Sequence, residues 1–175
     1  MSVVASTTDV DGSGGTVFSW LGQAQFTHVV PQIGPWKTNN WRFVTRASGQ
    51  VSNGSLVTLQ QFVIGGVDTV RGYPENEVVT DNGVVGSVEM QIPIIQRQDR
   101  DVLQLVPFFD IGYGQNVHSP SDAKLLSSIG IGFLYNPSSH LSAYLYYGIP
   151  FNGFPRTNTD AQDYGIHFGL TLCAF

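Results

Sequence analysis

The sequence predicts an all-β protein whose strands are long enough to cross a membrane. Apolar and polar residues alternate along seven segments, and no segment repeats convincingly with the 3.6-residue period of a helix. The segments run to roughly 10 to 15 residues, whereas strands of soluble sheets are usually about 5 to 6 residues long. Only 12% of the residues are charged, while aromatic residues also reach 12% and glycines number 20. These observations favour a transmembrane antiparallel β-barrel, whose strands need about 9 to 11 residues.

Each predicted strand has one apolar face and one face of small or polar residues. The polar faces are rich in Gly, Ser and Gln, which is typical of a barrel lumen and unlike the Lys-rich and Glu-rich wet side of a soluble sandwich. In chain order, the strands and two apolar residues that mark each are 16–30 (Phe18, Trp20), 41–51 (Trp41, Phe43), 84–94 (Val88, Met90), 102–114 (Phe109, Ile111), 124–135 (Ile129, Ile131), 140–149 (Leu145, Tyr147) and 164–174 (Phe168, Leu170).

The connections between these strands alternate in length, as they do in outer-membrane barrels. We expect the longer connections, which include residues 52–83, on the outer side, with the chain beginning in an outer loop and ending on the inner side. Bacterial single-chain barrels normally close with an even number of strands, so seven strands indicate part of a larger barrel. The first 15 residues lack the basic and apolar regions of a signal peptide, which agrees with that interpretation.

Composition argues against several classes of function. A formal charge of -5, with Lys37 and Lys124 as the two lysines, provides no basic surface for nucleic acid. The single cysteine, Cys173, can neither form an internal disulfide nor build a cysteine-rich metal site. The histidines lack metal-ligand spacing, no nucleophile motif brings Ser, His and Asp together, and no phosphate-binding loop is present. We therefore expect neither an enzyme nor a cofactor or metal.

One stretch breaks the alternation with a specific, glycine-rich loop sequence. Residues 60–76 read QQFVIGGVDTVRGYPEN and contain Val70, Arg71, Gly72 and Tyr73. Two strands later comes a second pattern, Phe-x-Asp-x-Gly, formed by Phe108, Asp110 and Gly112. With the preceding LQQFVIGG, these motifs resemble those of two-partner secretion transporters, the haemolysin secretion/activation proteins, which share a superfamily with the barrel-assembly insertases. The resemblance covers roughly residues 16–175.

The resemblance implies a fold and a set of site residues. Residues 1–175 would form the C-terminal segment of an outer-membrane barrel of about 16 strands, without the periplasmic domains. The loop at about 52–83 would fold back into the barrel, where Arg71 meets Asp110. Glu89, which faces inward on the intervening strand, is a second acceptor or simply a solvated carboxylate. Gly65 and Gly66, with Gly72, would allow the backbone bends that turn the loop inward.

The resemblance also implies a function without chemical catalysis. The protein would sit in the bacterial outer membrane and secrete a large, unfolded partner exoprotein, such as a haemolysin or adhesin. The VRGY loop would gate the barrel, and the barrel-assembly machinery would insert it among outer-membrane lipids. An insertase of the same superfamily and a soluble β-barrel binding module are the alternatives. The identity of the partner stays open.

The C-terminal residue departs from the pattern expected of an assembled barrel. Barrels of this kind usually end on a phenylalanine in phase with the outward residues of the last strand. The alternation that includes Phe168, Leu170 and Leu172 puts Ala174 on the outer face, so Phe175 is out of phase. A bulge between Thr171 and Cys173 would restore the phase.

Overall fold

The described residues form ten strands, most of them long. A computed structural model describes residues 2–9, 16–31, 41–97, 100–119, 122–153 and 160–173. The strands are β1 (Ser2–Asp9), β2 (Thr16–Val29), β3 (Arg42–Ser52), β4 (Phe62–Ile64), β5 (Val78–Thr80), β6 (Asn82–Arg97), β7 (Arg100–Gln115), β8 (Lys124–Tyr135), β9 (Leu141–Pro150) and β10 (Ile166–Leu172). The helical structure of the described residues consists of short 3₁₀ turns, which include Thr58–Gln60 and Gln162–Tyr164.

Eight strands form one antiparallel sheet in the order β1-β2-β3-β6-β7-β8-β9-β10. Each strand pairs with the next one along the chain, except that β3 pairs with β6 across the short ribbon of β4 and β5. This up-and-down order is the one that a barrel wall requires, because hairpins connect neighbours without crossovers. The all-β, antiparallel fold predicted from the alternation is confirmed, and all seven predicted strands are present.

The sheet also contains a strand that the sequence pattern did not reveal. Residues Ser2–Asp9 pair with β2 along their whole length, from Ser2 opposite Gln23 to Asp9 opposite Thr16. The described chain therefore starts in a strand and not in an outer loop, and the count rises from seven strands to eight. The segment SVVASTTD has small and polar residues in place of a clear apolar alternation. This segment forms a strand because its backbone pairs with that of β2, and such pairing does not require a particular side-chain pattern.

The large apolar side chains lie on the outer face of the sheet. On β7, Phe109, Ile111 and Tyr113 are each about 40% exposed, while the residues between them are buried. A soluble sheet buries its apolar face, whereas a barrel presents it to lipid. The same outward set recurs along the sheet and includes Phe18, Trp20, Phe26, Ile129, Ile131, Phe133, Leu145, Tyr147, Phe168 and Leu170.

The inner face of β6 to β8 is covered by the segment between β3 and β6, which we call the inward loop (residues 53–81). Its β4–β5 ribbon packs on β6 and β7, and its apolar side chains meet those of the wall. Val85 and Leu126 belong to the wall side of this cluster; the loop side consists of Phe62, Ile64, Val70, Tyr73 and Val78. The molecule's main apolar core is therefore formed by a loop folded against a sheet.

The described end of β10 has a regular register. Its pairing with β9 runs without a shift from Ile166 to Leu172, and the Cys173 N–H donates to the His140 carbonyl. A bulge is therefore absent through Leu172, so the proposed shift in phase does not occur in this part of the strand. Ala174 and Phe175 lie outside the described residues. No helix in the described ranges is both long enough and apolar enough to span a bilayer.

Candidate functional site

The candidate site is the tip of the inward loop, where the chain turns three times through a backbone conformation that favours glycine. Gly65, Gly66 and Gly72 have φ angles of 108°, 103° and 94°. Residues with a Cβ rarely adopt such angles, because the Cβ collides with the backbone. The three glycines predicted as bends therefore occupy positions that require them, and they carry Val70–Tyr73 to the inner face of the sheet.

The Arg71 side chain meets Asp110 in a two-pronged ion pair. Nε of Arg71 donates to Oδ2 of Asp110 at 2.8 Å, and Nη2 donates to Oδ1 at 2.9 Å. The backbone N–H of Arg71 also donates to Oδ2, at 3.0 Å. Arg71 is 3% exposed and Asp110 is 0% exposed. The contact therefore fixes both the guanidinium plane and the backbone of the loop tip.

Two further groups complete the coordination of the guanidinium. Nη1 of Arg71 donates to Oε2 of Glu89 at 2.9 Å, and Nη2 donates to the Ser87 hydroxyl at 3.0 Å. Arg46, on β3, also forms an ion pair with Glu89, and the Gln91 side chain donates to the other oxygen of that carboxylate at 2.9 Å. Glu89 is therefore a second partner of Arg71 and not a solvated carboxylate.

The strand register explains why these groups converge. Arg46, Ser87 and Asp110 lie directly opposite one another on β3, β6 and β7. Glu89 lies two residues along β6 from Ser87 and is opposite Phe108. Because alternate residues share a face, all of these side chains point to the inside and meet one loop residue.

Two aromatic rings hold the guanidinium on its other sides. The Arg71 Cζ lies 3.7 Å from the centre of the Phe108 ring and 4.8 Å from that of Tyr146. The two rings meet edge to face, with their centres 5.8 Å apart. A desolvated guanidinium over an aromatic face gains about 2 kcal/mol. Phe108 therefore contributes an aromatic ring face that contacts the guanidinium. Tyr146 is a site residue that the sequence analysis missed.

The residues after Arg71 bind a different part of the wall. The Gly72 N–H donates to Nε2 of His167, on β10, at 3.1 Å. The Tyr73 hydroxyl lies 3.1 Å from the Ser127 carbonyl and accepts the Asn152 N–H at 3.1 Å. Tyr73 is 0% exposed. The loop tip therefore bridges β6 and β7 on one side and β8 to β10 on the other.

Glycines on the wall make room for the loop. A Cβ at Gly112 would lie 2.5 Å from Ile64 and 2.9 Å from Val70. A Cβ at Gly148 would lie 2.7 Å from the Cα of Gly72, so two backbones touch there. Such distances are too short for any side chain. Gly112 was identified from its motif, whereas Gly148 has no local signal that points to the loop.

Asp81 organises the base of the inward loop. Its carboxylate accepts the Leu56 N–H at 2.8 Å, the Gln61 side chain at 3.1 Å and the Val117 N–H at 3.0 Å. Burial acts to raise the pKa of the Asp81 carboxyl, but these hydrogen bonds outweigh it, and the pKa lies below its ordinary value. The charged form of Asp81 therefore stabilises the loop base, a role that the sequence analysis missed.

The site offers no evident place for a metal. In the part of the chain that the structure describes, no group of three or more His, Cys, Asp or Glu side chains could hold a metal ion. The carboxylates of Asp110 and Glu89 are instead neutralised by Arg71 and Arg46. The cluster is therefore a set of ion pairs and hydrogen bonds that hold the loop against the wall.

Comparisons with known proteins agree with this fold and these motifs. The chain resembles BamA from Haemophilus ducreyi, in a crystal structure lacking POTRA domains 1–3, with a TM-score of 0.68 and 15% sequence identity. The match covers 97% of this chain and 38% of that chain, so this chain spans well under half of its length. No curated protein sequence matches the chain significantly.

A family model supplies the classification. Residues 8–135, which contain both motifs, match the model described as haemolysin secretion/activation protein ShlB/FhaC/HecB. The match covers most of the chain and agrees with the antiparallel, barrel-type wall. The chain therefore belongs to the haemolysin secretion/activation family, whose members are outer-membrane β-barrel transporters of two-partner secretion.

Proposed function

We propose that this protein secretes a large, unfolded partner protein across the bacterial outer membrane and that the inward loop gates the path. The observation that carries the proposal is the Arg71 cluster, in which one loop residue binds Ser87, Glu89 and Asp110 on the inner face. A loop that merely covered an apolar surface would not need a buried, fully paired guanidinium. The cluster is suited to hold a movable segment in one defined position.

The proposed gate works by exchange of contacts. With the loop in place, its apolar side chains fill the space against β6 to β8. When the loop withdraws, water and the passing chain take over the hydrogen bonds of the exposed carboxylates. Small and polar side chains on the inner face, such as Gln25, Ser48 and Gln50, then offer a wet surface with few apolar contacts to retard the chain. Neither hydrolysis nor a cofactor enters this mechanism.

An insertase that folds other barrels is the second candidate, and the similarity to BamA supports it. Insertase activity depends on the seam of the barrel, whereas secretion depends on the lumen. The family match over residues 8–135 favours secretion. A soluble binding module fits poorly, because its sheet would expose rows of large apolar residues such as Phe109 and Ile131 to water.

Removal of the gene distinguishes the candidates. If the protein secretes one partner, the deletion strain loses one large protein from the culture medium and keeps its other outer-membrane barrels. Loss of many barrels from the outer membrane would support the insertase instead. A protein that fractionates with aqueous buffer and shows no heat-modifiable gel mobility would exclude both and leave the soluble module.

Restoring the gene tests the gate itself. Wild-type protein and Arg71→Ala should both reach the outer membrane, but the variant should secrete less of the missing protein or leak it. Arg100→Ala, on the exposed start of β7, is the matched control and should secrete normally. Normal secretion by Arg71→Ala at wild-type abundance would contradict the proposed gate.

A further inference from the structure

His167 lies at a second point where the inward loop touches the wall, far from Asp110 in the sheet order. Its side chain is 4% exposed on the inner face of β10, and its backbone lies opposite Tyr146 of β9. The imidazole Nε2 accepts the N–H of Gly72, the residue that follows Arg71, at 3.1 Å. Arg71 ties the loop tip to β6 and β7, and His167 ties the same tip to β10.

The hydrogen bond fixes the protonation state of His167. A backbone N–H can only donate, so Nε2 must carry a lone pair and the ring must be neutral. If Nε2 takes up a proton, two N–H groups face each other and the bond is lost. Histidine is the side chain whose ordinary titration falls between pH 5 and 8, so this contact can change within a mild pH range.

We propose that His167 is a positioning residue that holds the loop tip against β10 and that its protonation releases this contact. That the release opens a path for a secreted protein rests on the gate proposed above. The contact itself does not depend on that function, because it is a bond between two parts of one chain.

The charged groups around His167 determine where the loop tip and the ring go after protonation. Burial of the ring opposes its positive charge most strongly; from the loop, Glu75 favours that charge and Arg71 opposes it. Asp110 of β7 and Asp160 of the connection between β9 and β10 also favour it. Asp110 is already paired with Arg71. Glu75 accepts the Val67 N–H through Oε1, and Asp160 accepts two backbone N–H groups through Oδ1, so the second oxygen of each carboxylate is the one that a protonated ring would bind. The protonated ring can therefore exchange Gly72 for Asp160, which lies outside the loop, and the loop tip then loses its tie to β10.

The structure provides access for the proton. An open cavity of about 300 Å³ lies beside the ring and is lined by His167, Glu75, Tyr144 and Asp160, among others. Water in such an open cavity, which has the polar side chains of Glu75 and Asp160 in its lining, can deliver a proton without unfolding of the sheet. The Gly72 backbone also packs directly on Gly148. Because the His167 ring binds Gly72, a small shift of that ring is enough to disturb the tight contact between the two glycines.

A thiol placed beneath the loop reports its release without any assay of secretion. Ser128, on the inner face of β8, is 0% exposed, and its hydroxyl has no hydrogen-bond partner in the described part of the chain, so Ser128→Cys is a mild change. The exposed native Cys173 serves as the reference thiol, because its labelling rate corrects for the effect of pH on the reagent. The protein is reconstituted in vesicles and labelled with a maleimide at about pH 7.5 and about pH 5.5, on either side of the ordinary imidazole value.

The expected result is a faster relative labelling of the residue-128 thiol in acid. Loss of one buried hydrogen bond should raise the rate by about fivefold to thirtyfold. His167→Gln can still accept from Gly72 but does not titrate, so its labelling should be slow at both pH values. His167→Ala should label fast at both, and His28→Gln, an exposed position on β2 near the other end of the strand order, should keep the wild-type response.

Two results would overturn the proposal. One is labelling in the wild type that does not change with pH, and the other is an acid response that persists in His167→Gln. Heat-modifiable mobility identifies the variants that have folded, and the Gln variant keeps the test decisive if the Ala variant does not fold.

Single-channel conductance separates the two proposals. Acid labelling without any change in conductance would leave the His167 contact standing and remove the gate. Higher conductance in Arg71→Ala without acid labelling would do the reverse.

Discussion

Arg71 and Asp110 are 39 residues apart in sequence, yet they form three hydrogen bonds of 2.8, 2.9 and 3.0 Å. Two bonds come from the guanidinium and one from the loop backbone. The pair therefore fixes a long loop to a barrel strand at a single, fully buried point. Further contacts of the loop tip, among them those with Glu89, Ser87 and His167, surround this one.

Replacement of Arg71 by lysine should release most of this contact although the charge is kept. An ammonium group cannot bind both oxygens of Asp110 in the guanidinium's planar geometry, and it cannot stack on Phe108 in the same way. Arg71→Ala, which leaves Asp110 buried and unpaired, should lower the free energy of unfolding by about 3 to 5 kcal/mol, and Arg71→Lys by somewhat less. Urea titration in vesicles measures both. Equal stability of wild type and Arg71→Lys would mean that geometry is unimportant at this site.

A side chain at Gly148 should push the loop tip away from the wall. A Cβ there would lie 2.7 Å from the Cα of Gly72 and cannot be accommodated. Gly148→Ala should therefore fold as a barrel but label rapidly at the thiol of Ser128→Cys. Gly153→Ala is the matched control, because nothing lies within 4 Å of its Cβ position. Slow labelling in Gly148→Ala would contradict this prediction, because it would show that the contact accommodates a Cβ without displacing the loop tip.

The base of the inward loop should loosen in acid. The folded pKa of Asp81 lies below its ordinary value, so its stabilisation is present in full above the unfolded value of about 3.9 and is lost as the pH falls through the folded pKa. Hydrogen exchange at the amides of Leu56 and Val117, corrected for the intrinsic rate, should accelerate below about pH 4.

Asp81→Asn and a distant amide supply the controls for that measurement. The variant lacks the titrating charge, so exchange at its loop base should be faster and should no longer change in this pH range. The amide of Val30, which donates to the Trp41 carbonyl at the other end of the sheet, should be unaffected. Acid-independent exchange at Leu56 in the wild type would show that contacts other than those of Asp81 stabilise the loop base.

A charge on the outer face should be far more costly than one on the inner face. Ile131 is 43% exposed in the outward apolar set, and Gln25 faces inward on β2. Ile131→Arg should reduce stability in vesicles by about 2 to 4 kcal/mol, because the side chain would enter the hydrocarbon region. Gln25→Arg should cost little in a wet lumen. Equal costs in vesicles would contradict the assignment of the apolar face to lipid.

The sequence predicts the wall of this fold well, because period-two alternation over long segments is a local signal. It fails for β1, whose small and polar residues show no alternation, and for β4 and β5, which have three residues each. Those strands exist because backbone pairing with neighbours satisfies them, and such pairing leaves no mark in the local sequence.

The site residues also divide into those that the sequence predicts and those that it does not. The inward position of Glu89 follows from the alternation of faces along its strand, whereas the pairing of Arg71 with Asp110 was inferred from resemblance to a family. The opposite side, with Tyr146 and His167, was missed. Gly72 and His167 are 95 residues apart, and they meet only because the loop reaches a particular depth in the barrel. No local pattern encodes that depth.

Single-channel conductance in planar bilayers tests the central claim most directly. The claim is that the Arg71–Asp110 pair holds a loop that closes the lumen. Arg71→Ala and Asp110→Ala should each raise the conductance or the open probability, and the double variant should add little to either, because both remove the same contact. Deletion of residues 60–80 should give the largest increase. Unchanged conductance in all four variants would contradict this claim, because it would show that the inward loop does not close the barrel.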